Sequence, residues 1–486
     1  MTALDSILSK FKAEFSGQLL STVSGAILLI FLARTLTPEG YGLLYLALSV
    51  FAVATLFSNL GLARSGARYV AEYRETDPGQ VRHVVRVSLT YILVSSAITA
   101  IFVALFSDLI ATVLEEPALV PLLVVGSTFV VATTLVAYVR TILQGLEEIH
   151  RCSYVIGAVA IGKLVFSVAL VLLGFGVVGA LVGHVLGLAL ATCLGAVFLY
   201  RQLSAYDAAE SPAAGLRRRI LEYNVPIIFT RGSDVLDKQV DTILVGFFLT
   251  PVAVGYYVVS KQVVGFVQAP AAALGFTVSP TFGTQKAADE LVAAARLYES
   301  TVVYTLLLYL PAAAGLAIVA EPAIEYTVGA EYLGAVPVLQ VLSWFVVLQA
   351  LMQVTGNALD FLGRARTRAI ARGATAGANV VLNVLLIPQF GVVGAAIATV
   401  CTYTIYAGVN LYVISSEFPL RGPYLVRRCV SIAAITVLMA LLVVSLVSFV
   451  VDVVTLAGVV LLGVTVWFTL SYFAGFIDRD GLAAAV

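Results

Sequence analysis

The sequence predicts an all-α polytopic membrane protein of about fourteen transmembrane helices, built as two parallel six-helix repeats plus two extra C-terminal helices. Three observations lead there. Of 486 residues, 60% are hydrophobic and 12% charged, against about 25% charged in soluble domains, and the mean hydropathy is +1.02. The apolar residues gather into runs near the ~20 residues that cross a bilayer as a helix. Two short strings recur at almost the same offset.

Taken in order, the apolar runs fall at 14–36, 41–63, 85–106, 118–139, 154–174, 177–200, 223–249, 252–277, 301–319, 336–360, 370–387, 392–414, 429–450 and 453–474. The segment before the first run carries Lys10 and Lys12, and no small-residue cleavage site follows it. It reads as an uncleaved anchor rather than a secretory signal. Lys and Arg in the short loops set the orientation. Segments 1–13, 64–86, 140–153, 201–222, 278–300, 361–372, 415–428 and 475–486 hold 23 of them, and the loops on the other side hold none. Those other loops instead carry Glu39, Asp108, Glu115, Glu116, Glu321, Glu325, Glu331 and Asp452. Both termini are therefore expected in the cytoplasm of a multi-pass cell-membrane protein. The 28 basic and 28 acidic residues balance, which gives no electrostatic footprint for nucleic acid. Four cysteines, Cys152, Cys193, Cys401 and Cys429, imply no disulfide framework.

The string LTPEGYG at 36–42 matches LTPVAVG at 249–255, and FGVVGA at 175–180 recurs identically at 390–395. The offsets, 213 and 215 residues, are nearly equal, which indicates a duplicated unit of six spans. An even number of spans keeps both copies in the same orientation, and transporters of such construction place the substrate site between the halves. The expected organisation is an N-lobe at 1–200, a polar cytoplasmic linker at 201–222, a C-lobe at 223–415, and helices 13 and 14 with a cytoplasmic tail at 416–486. Span six carries Gly179, Gly183, Gly187, Ala191 and Gly195 at every fourth position, a ridge that lets a second helix approach closely.

The stretch FLARTLTPEGYGLLYLALSVFAVATLFSNLGLARSGARYVAEYR at 31–74 resembles the N-terminal signature of Wzx-type polysaccharide transporters, which belong to the multidrug/oligosaccharidyl-lipid/polysaccharide (MATE-like) exporter superfamily. KQVDTILVGFFLTPVAVGYYVVSKQV at 238–263 resembles the second-half counterpart, and LQGL at 143–146 and both FGVVGA elements also fit. The resemblance spans essentially the whole chain. It implies two six-helix lobes around a central cavity lined by spans one and seven. It also implies a flippase that carries lipid-linked sugars from the cytoplasmic to the outer leaflet by alternating access. The partners of such an exporter would be the bilayer, a polyprenyl- or dolichyl-linked saccharide, and the glycosyltransferases or polymerase of the same pathway.

Charged residues inside spans are costly and mark functional surfaces. Span seven has five within a short stretch, Arg231, Asp234, Asp237, Lys238 and Asp241, all on an arc of about 120°. Two readings fit: a self-neutralised seam against another helix, or the wall of a polar cavity. The repeat and the resemblance both place this span at the lobe interface, which favours the cavity wall. Lys163 and Lys261 lie near the middle of their spans with no carboxylate three or four residues away. Each calls for an anionic partner, supplied either by a span-seven aspartate or by a substrate phosphate. Arg34, at the outer end of span one, either snorkels to the interface or contacts a phosphate leaving outward. Asn379 and Asn383 on span eleven and Thr399 and Thr402 on span twelve offer oxygens that, with Asp237 or Asp241, suit Na⁺; helix-packing hydrogen bonds explain the same residues. The resemblance adds weight to the ion, because related lipid II flippases are thought to bind a cation between spans seven, eleven and twelve. His184 fits either a proton relay or a locally bonded core histidine. No Cys or His has metal-ligand spacing, so no cofactor is expected, only coupling to Na⁺, H⁺ or the membrane potential. GAVAIGKL at 157–164 imitates a phosphate loop but ends in Leu164 where Ser or Thr is required. A cation-coupled multidrug antiporter of the MATE type is the alternative. A membrane enzyme is disfavoured because the longest outer loop, 320–335, contains neither His nor Arg.

Overall fold

The computed structural model describes residues 3–207, 209–268 and 290–476; the side chains of 3–13, 223, 225–231, 233–234, 236–237 and 361 lie outside the described set. Every regular element in the described residues is helical. Two units form, Met1–Gly255 and Tyr256–Val486.

The first unit begins with α1 (Ala3–Asn59), which carries both the first and the second predicted span. The expected loop at 37–40 is a kink inside this helix, at Thr37 (φ 60°, ψ 165°). Pro38 accounts for the break and for the extended ψ, since proline has no N–H and disfavours the helical region for the residue before it, but it does not require the positive φ of Thr37. A turn at Leu60 (φ 41°) and Gly61 (φ 77°) leads to α2 (Leu62–Thr76). This amphipathic helix falls in a stretch expected to be loop. It buries Leu62, Tyr69, Val70 and Tyr73 and exposes Arg64, Arg68, Glu72 and Glu75. A short 3₁₀ turn (Pro78–Gln80) precedes α3 (Val81–Leu105), followed by the short α4 (Ser107–Val113), α5 (Leu119–Gly145), α6 (Ile149–Leu170), α7 (Gly176–Leu203) and α8 (Leu216–Phe248). Helix α9 occupies 251–268.

The second unit continues with α10 (Leu291–Ile318), α11 (Ala320–Thr327), α12 (Val336–Phe361), α13 (Ala365–Phe390), α14 (Val392–Glu417), α15 (Gly422–Val447) and α16 (Val453–Phe473). Ten segments among the described residues are long and apolar enough to cross a membrane, and two of them, Glu14–Asn59 (46 residues) and Ile149–Leu203 (55 residues), can each supply two spans. Helices α8 and α9, the seventh and eighth predicted spans, are not among those ten.

The two FGVVGA strings fold alike. In FGVVGA the first glycine makes the turn between antiparallel helices, Gly176 (φ 52°, ψ −135°) before α7 and Gly391 (φ 60°, ψ −145°) before α14. That backbone region is open essentially to glycine alone. The second glycine lets the turn close: a Cβ on Gly179 would lie 3.1 Å from the Leu170 carbonyl carbon, and one on Gly394 would lie 2.3 Å from Leu386 O. The two LTP strings meet each other. A Cβ on Gly42 would fall 1.7 Å from Pro251 O, and one on Gly255 would fall 2.4 Å from Pro38 O. Both contacts lie within the first unit.

The connection at 201–222 is docked rather than loose. Gln80 donates from Nε2 to Ser211 O (3.1 Å) and accepts from Ala213 N–H (2.8 Å), while Arg82 Nε donates to Leu203 O at 2.8 Å. Ala209 N–H reaches Gly79 O at 3.0 Å, and Arg219 bridges to Glu72 at 3.0 Å.

In the second unit two contacts attach the terminal hairpin α15–α16. The fully buried Glu299 carboxylate of α10 accepts from Arg421 at the start of α15, at 2.9 Å from Nε and 2.7 Å from a terminal nitrogen, and pairs with Arg296 on its own helix. One side of α16 uses Trp467, whose indole N–H donates to Leu307 O at 2.9 Å. Leu307 lies four residues before Pro311 in α10, so the proline leaves that carbonyl without its usual helical donor. A neighbouring helix must re-satisfy it in a membrane. At the other end of α16, Asp452 caps the helix by accepting from Thr455 N–H at 2.7 Å, which holds its carboxyl below the usual carboxylate range.

Replacing Trp467 with Phe should therefore destabilise the protein by about 1 kcal/mol, the scale of hydrogen bonds between membrane helices. In a Pro311→Ala background, where residue 311 can donate to Leu307 O itself, the same change should cost close to nothing. Thermal unfolding in detergent of the four proteins of this cycle checks it; equal losses in both backgrounds would refute the pairing.

Candidate functional site

In the first unit the site centres on Lys163. It projects from α6, half-buried, with its ammonium 6.0 Å from the centre of the Phe129 ring on α5. No described carboxylate forms an ion pair with it. Its place is set by the glycine ridge of α7. A Cβ on Gly187 would lie 2.4 Å from Lys163 N, one on Gly183 would lie 2.4 Å from Ser167 N, and one on Gly162 would lie 2.9 Å from Gly187 Cα. Backbone therefore meets backbone along the α6–α7 pair, and only glycine permits it. One turn from Lys163, Ser167 Oγ donates to Ala180 O (3.1 Å) and lies 3.2 Å from His184 Nδ1, which also contacts Ala180 O at 2.8 Å. This is the bonding expected of a locally satisfied histidine, with Nδ1 engaged by its own helix.

Helix α8 runs unbroken through the predicted charge cluster. Lys238 is exposed, and Asp241 is buried beside the buried Thr242. The side chains of Arg231, Asp234 and Asp237 lie outside the described residues. Arg34 sits on the exposed face of α1, one turn before the kink.

The second unit assembles a polar seam between α13 and α14. Asn379 and Asn383 are buried one turn apart on α13, and Thr399 and Thr402 are buried on α14. Asn379 Nδ2 donates to Thr402 Oγ1 at 3.3 Å, and Asn383 Nδ2 donates to Asn379 Oδ1 at 2.9 Å. Helix α9 joins this seam through Tyr257, whose hydroxyl lies 3.3 Å from Thr399 Oγ1. Lys261, one turn along α9, places its ammonium 5.1 Å from the Tyr257 ring centre. Asn379 is thus bonded to both Asn383 and Thr402, and Tyr257 stands between Thr399 and Lys261. At one end of the seam, the Arg372 guanidinium lies 4.6 Å from the Tyr403 ring and 5.1 Å from that of Tyr406.

Sequence reasoning passed over Phe129, Tyr257 and Arg372. Tyr257 carried a signal, being four residues before Lys261 and so on its face of the helix. Phe129 comes from a different helix and carried none. The described groups offer no cluster of three metal-ligating His, Cys, Asp or Glu side chains. What the arrangement offers chemically is two ammonium groups on helical scaffolds, each against an aromatic ring, and a row of amide and hydroxyl oxygens.

Residues 7–285 match the family described as polysaccharide biosynthesis protein, and residues 226–385 match MatE. A probable low-salt glycan biosynthesis flippase, Agl15 of Haloferax volcanii, is 24% identical over 215 residues, 44% of this chain and 46% of that protein. The chain thus aligns with less than half the length of that relative. Among solved structures, the lipid II flippase MurJ in an inward closed conformation superposes with a TM-score of 0.76 at 16% identity, over 94% of this chain and 97% of that one. An inward-facing multidrug resistance MATE family transporter of the MOP superfamily superposes with a TM-score of 0.69 at 15% identity, over 85% and 96%. The fold is accordingly of the MurJ and MATE kind.

Gly187→Ala puts a methyl group where the α6 backbone now lies and should destabilise the first unit by about 1–3 kcal/mol, the usual cost of overpacking. Ala191→Gly, on the same face but already accommodating a Cβ, should cost less than half as much. Urea or thermal unfolding of both variants measures the difference; equal losses would mean that close approach at Gly187 is not what holds Lys163 in place.

Proposed function

The chain belongs to the polysaccharide biosynthesis protein family, within the multidrug/oligosaccharidyl-lipid/polysaccharide exporter superfamily, and from that premise we propose that it is a flippase for a lipid-linked saccharide. The substrate would be a polyprenyl- or dolichyl-linked sugar carrying a phosphate or diphosphate. Its passage from the cytoplasmic to the outer leaflet would serve polysaccharide or glycoprotein synthesis, and the glycosyltransferases or polymerase of that pathway would act before and after it.

The observation that carries the proposal is Lys163: a half-buried ammonium on a membrane helix that pairs with no described carboxylate. Charge at such depth is costly without a counter-ion, and a substrate phosphate supplies one. Lys261 on α9 supports the same reading, standing against Tyr257 as Lys163 stands against Phe129. Arg231 and Lys238 would add to the cationic surface, Asp234, Asp237 and Asp241 would line its polar wall, and Arg34 would meet the phosphate near the outer face. The lipid tail would stay in the bilayer while the sugar crosses in the polar cavity. Membrane potential would assist, because each negative charge moved outward gains ~2.3 kcal/mol per 100 mV.

The oxygens of Asn379, Asn383 and Thr399 are the proposed Na⁺ site for coupling, with H⁺ and the potential as the other candidate drivers. The MatE match over 226–385 favours a second reading, a cation-coupled multidrug antiporter. Such a protein would extrude organic cations and leave lipid-linked sugars where they are, so a drug-efflux assay separates the two.

Reconstituted into vesicles with a polyprenyl diphosphate-linked sugar and assayed for leaflet distribution, the wild-type chain should equilibrate the lipid. Lys163→Ala and Lys261→Ala should each slow flipping by about tenfold or more, a barrier increase of about 1.4 kcal/mol, with no loss of folded protein. Wild-type rates in both variants would sink the phosphate-binding role. Asn379→Ala and Asn383→Ala should abolish any Na⁺ stimulation and leave sodium-free flipping unchanged.

A further inference from the structure

We infer that the two LTP strings form the outer gate of the transport path, a backbone-to-backbone latch that closes against conformational strain at Thr37. The inference rests on the exporter reading and deepens it by naming the contact that must break.

Four observations converge on this latch. First, the contact is reciprocal. Gly42 faces Pro251 O, and Gly255, its counterpart in the second string, faces Pro38 O, the counterpart of Pro251. Each string therefore offers the same carbonyl to the same glycine of the other. This is the self-complementary logic of a two-fold interface, here between α1 and α9. One pseudo-two-fold geometry thus gives both contacts, so that loss of either glycine wedges the same seam.

Second, no side chain intervenes. A Cβ on Gly42 would sit 1.7 Å from a carbonyl oxygen, and one on Gly255 would sit 2.4 Å from another. At these two glycines the seam is peptide group against peptide group. The residues beside it are closed off, with Leu36, Pro38, Gly40 and Tyr41 all buried.

Third, the strain is local and one-sided. Thr37 holds φ 60° and ψ 165°, a region left almost entirely to glycine and especially awkward for a β-branched residue. It directly precedes Pro38, whose carbonyl caps Gly255. Its counterpart Thr250 is not among the described residues with positive φ. Strain of this kind persists only where surrounding contacts enforce it, and the contact that follows Thr37 is the latch. Parting the latch frees Thr37 to relax.

Fourth, the strings lie at the loops that the charge distribution assigns to the outer face: segments 37–40 and 250–251 contain no Lys or Arg.

The test reads accessibility rather than transport. In the full-length chain with its four native cysteines changed to serine, Leu36→Cys is labelled in vesicles by a membrane-impermeant maleimide added from the outer side. In the parent, labelling should be slow. Gly42→Ala and Gly255→Ala should each raise the rate about tenfold or more, as a shift of population to the open form requires. The double variant should label no faster than either single one, because both wedge the same seam. Thr37→Gly should slow labelling below the parent, since glycine removes the strain that favours opening. Parental rates in both alanine variants, additive rates in the double variant, or faster labelling in Thr37→Gly would each overturn the proposal, as would labelling from the cytoplasmic side alone. If the alanine variants do not fold, Thr37→Gly decides by itself: slower labelling supports the latch, and an unchanged rate refutes it. No lipid substrate is needed, so a chain that flips no saccharide can still show the latch, and a working flippase can still lack it.

Discussion

A helix surrounded by lipid gains no hydrophobic free energy by exchanging lipid tails for another helix. Close packing and hydrogen bonding must hold such a protein together, and in this chain the close packing depends on glycine letting backbones touch. Gly183 and Gly187 bring α7 against the α6 backbone. Gly179 and Gly394 close the two helical hairpins, and Gly42 and Gly255 bring α1 against α9. Much else follows from these approaches. Lys163 is placed where it is because its own peptide nitrogen faces Gly187. A larger residue on the α7 ridge would move the ammonium together with the helix that carries it.

The second demand of the membrane is that no polar group go unpaired in hydrocarbon. The chain meets it locally wherever it can. Thr375, Thr399 and Thr402 donate back to carbonyls four residues earlier, at 2.9, 3.0 and 2.9 Å. Where the helix is broken, partners come from elsewhere, as Trp467 does for Leu307 O. Glu299 shows the same principle with charge, since a fully buried carboxylate is tolerated when several arginine N–H groups and a backbone N–H converge on it. Against that background Lys163 is conspicuous. Its described contact is the face of an aromatic ring, which attracts a cation but does not neutralise it.

Most of the spans among the described residues were legible, though not the seventh and eighth, because the sequence writes them redundantly. Hydropathy marks the runs, and Gly176 and Gly391 mark turns that other residues resist. Helix α2 was not legible. Its 15 residues are too short and too polar to register as a span, and Arg64, Arg68 and Arg74 entered the reading as loop charges. The docking of 201–222 was hidden for another reason: Gln80 and Arg82 bind main-chain atoms, which leave no trace in the identities of the residues they hold. That neither Lys163 nor Lys261 has a carboxylate at helical spacing on its own helix could be read from the sequence. Their aromatic neighbours divide instructively, since Tyr257 shares a helix with Lys261 whereas Phe129 reaches Lys163 only through tertiary packing.

The repeat also separates what both halves need from what one half does alone. At the offsets of the recurring strings, the backbone devices are matched: Pro38 with Pro251, Gly42 with Gly255, Gly176 with Gly391, Gly179 with Gly394. The charges are not. Lys163 corresponds to Ala378, Lys261 to Leu48, Arg34 to Phe247, Lys238 to Gly25, and Asp241 to Leu28. The amide pair of the polar seam is one-sided too, because Asn379 and Asn383 correspond to Leu164 and Val168, whereas Thr399 corresponds to His184. A residue that the shared architecture required would be expected in both copies, as the prolines and glycines are. Single-copy charges in apolar helices meet no such requirement and carry a desolvation cost on top. Their retention needs a reason outside the fold. An asymmetric ligand, with a charged end to hold and an uncharged end to accommodate, supplies one.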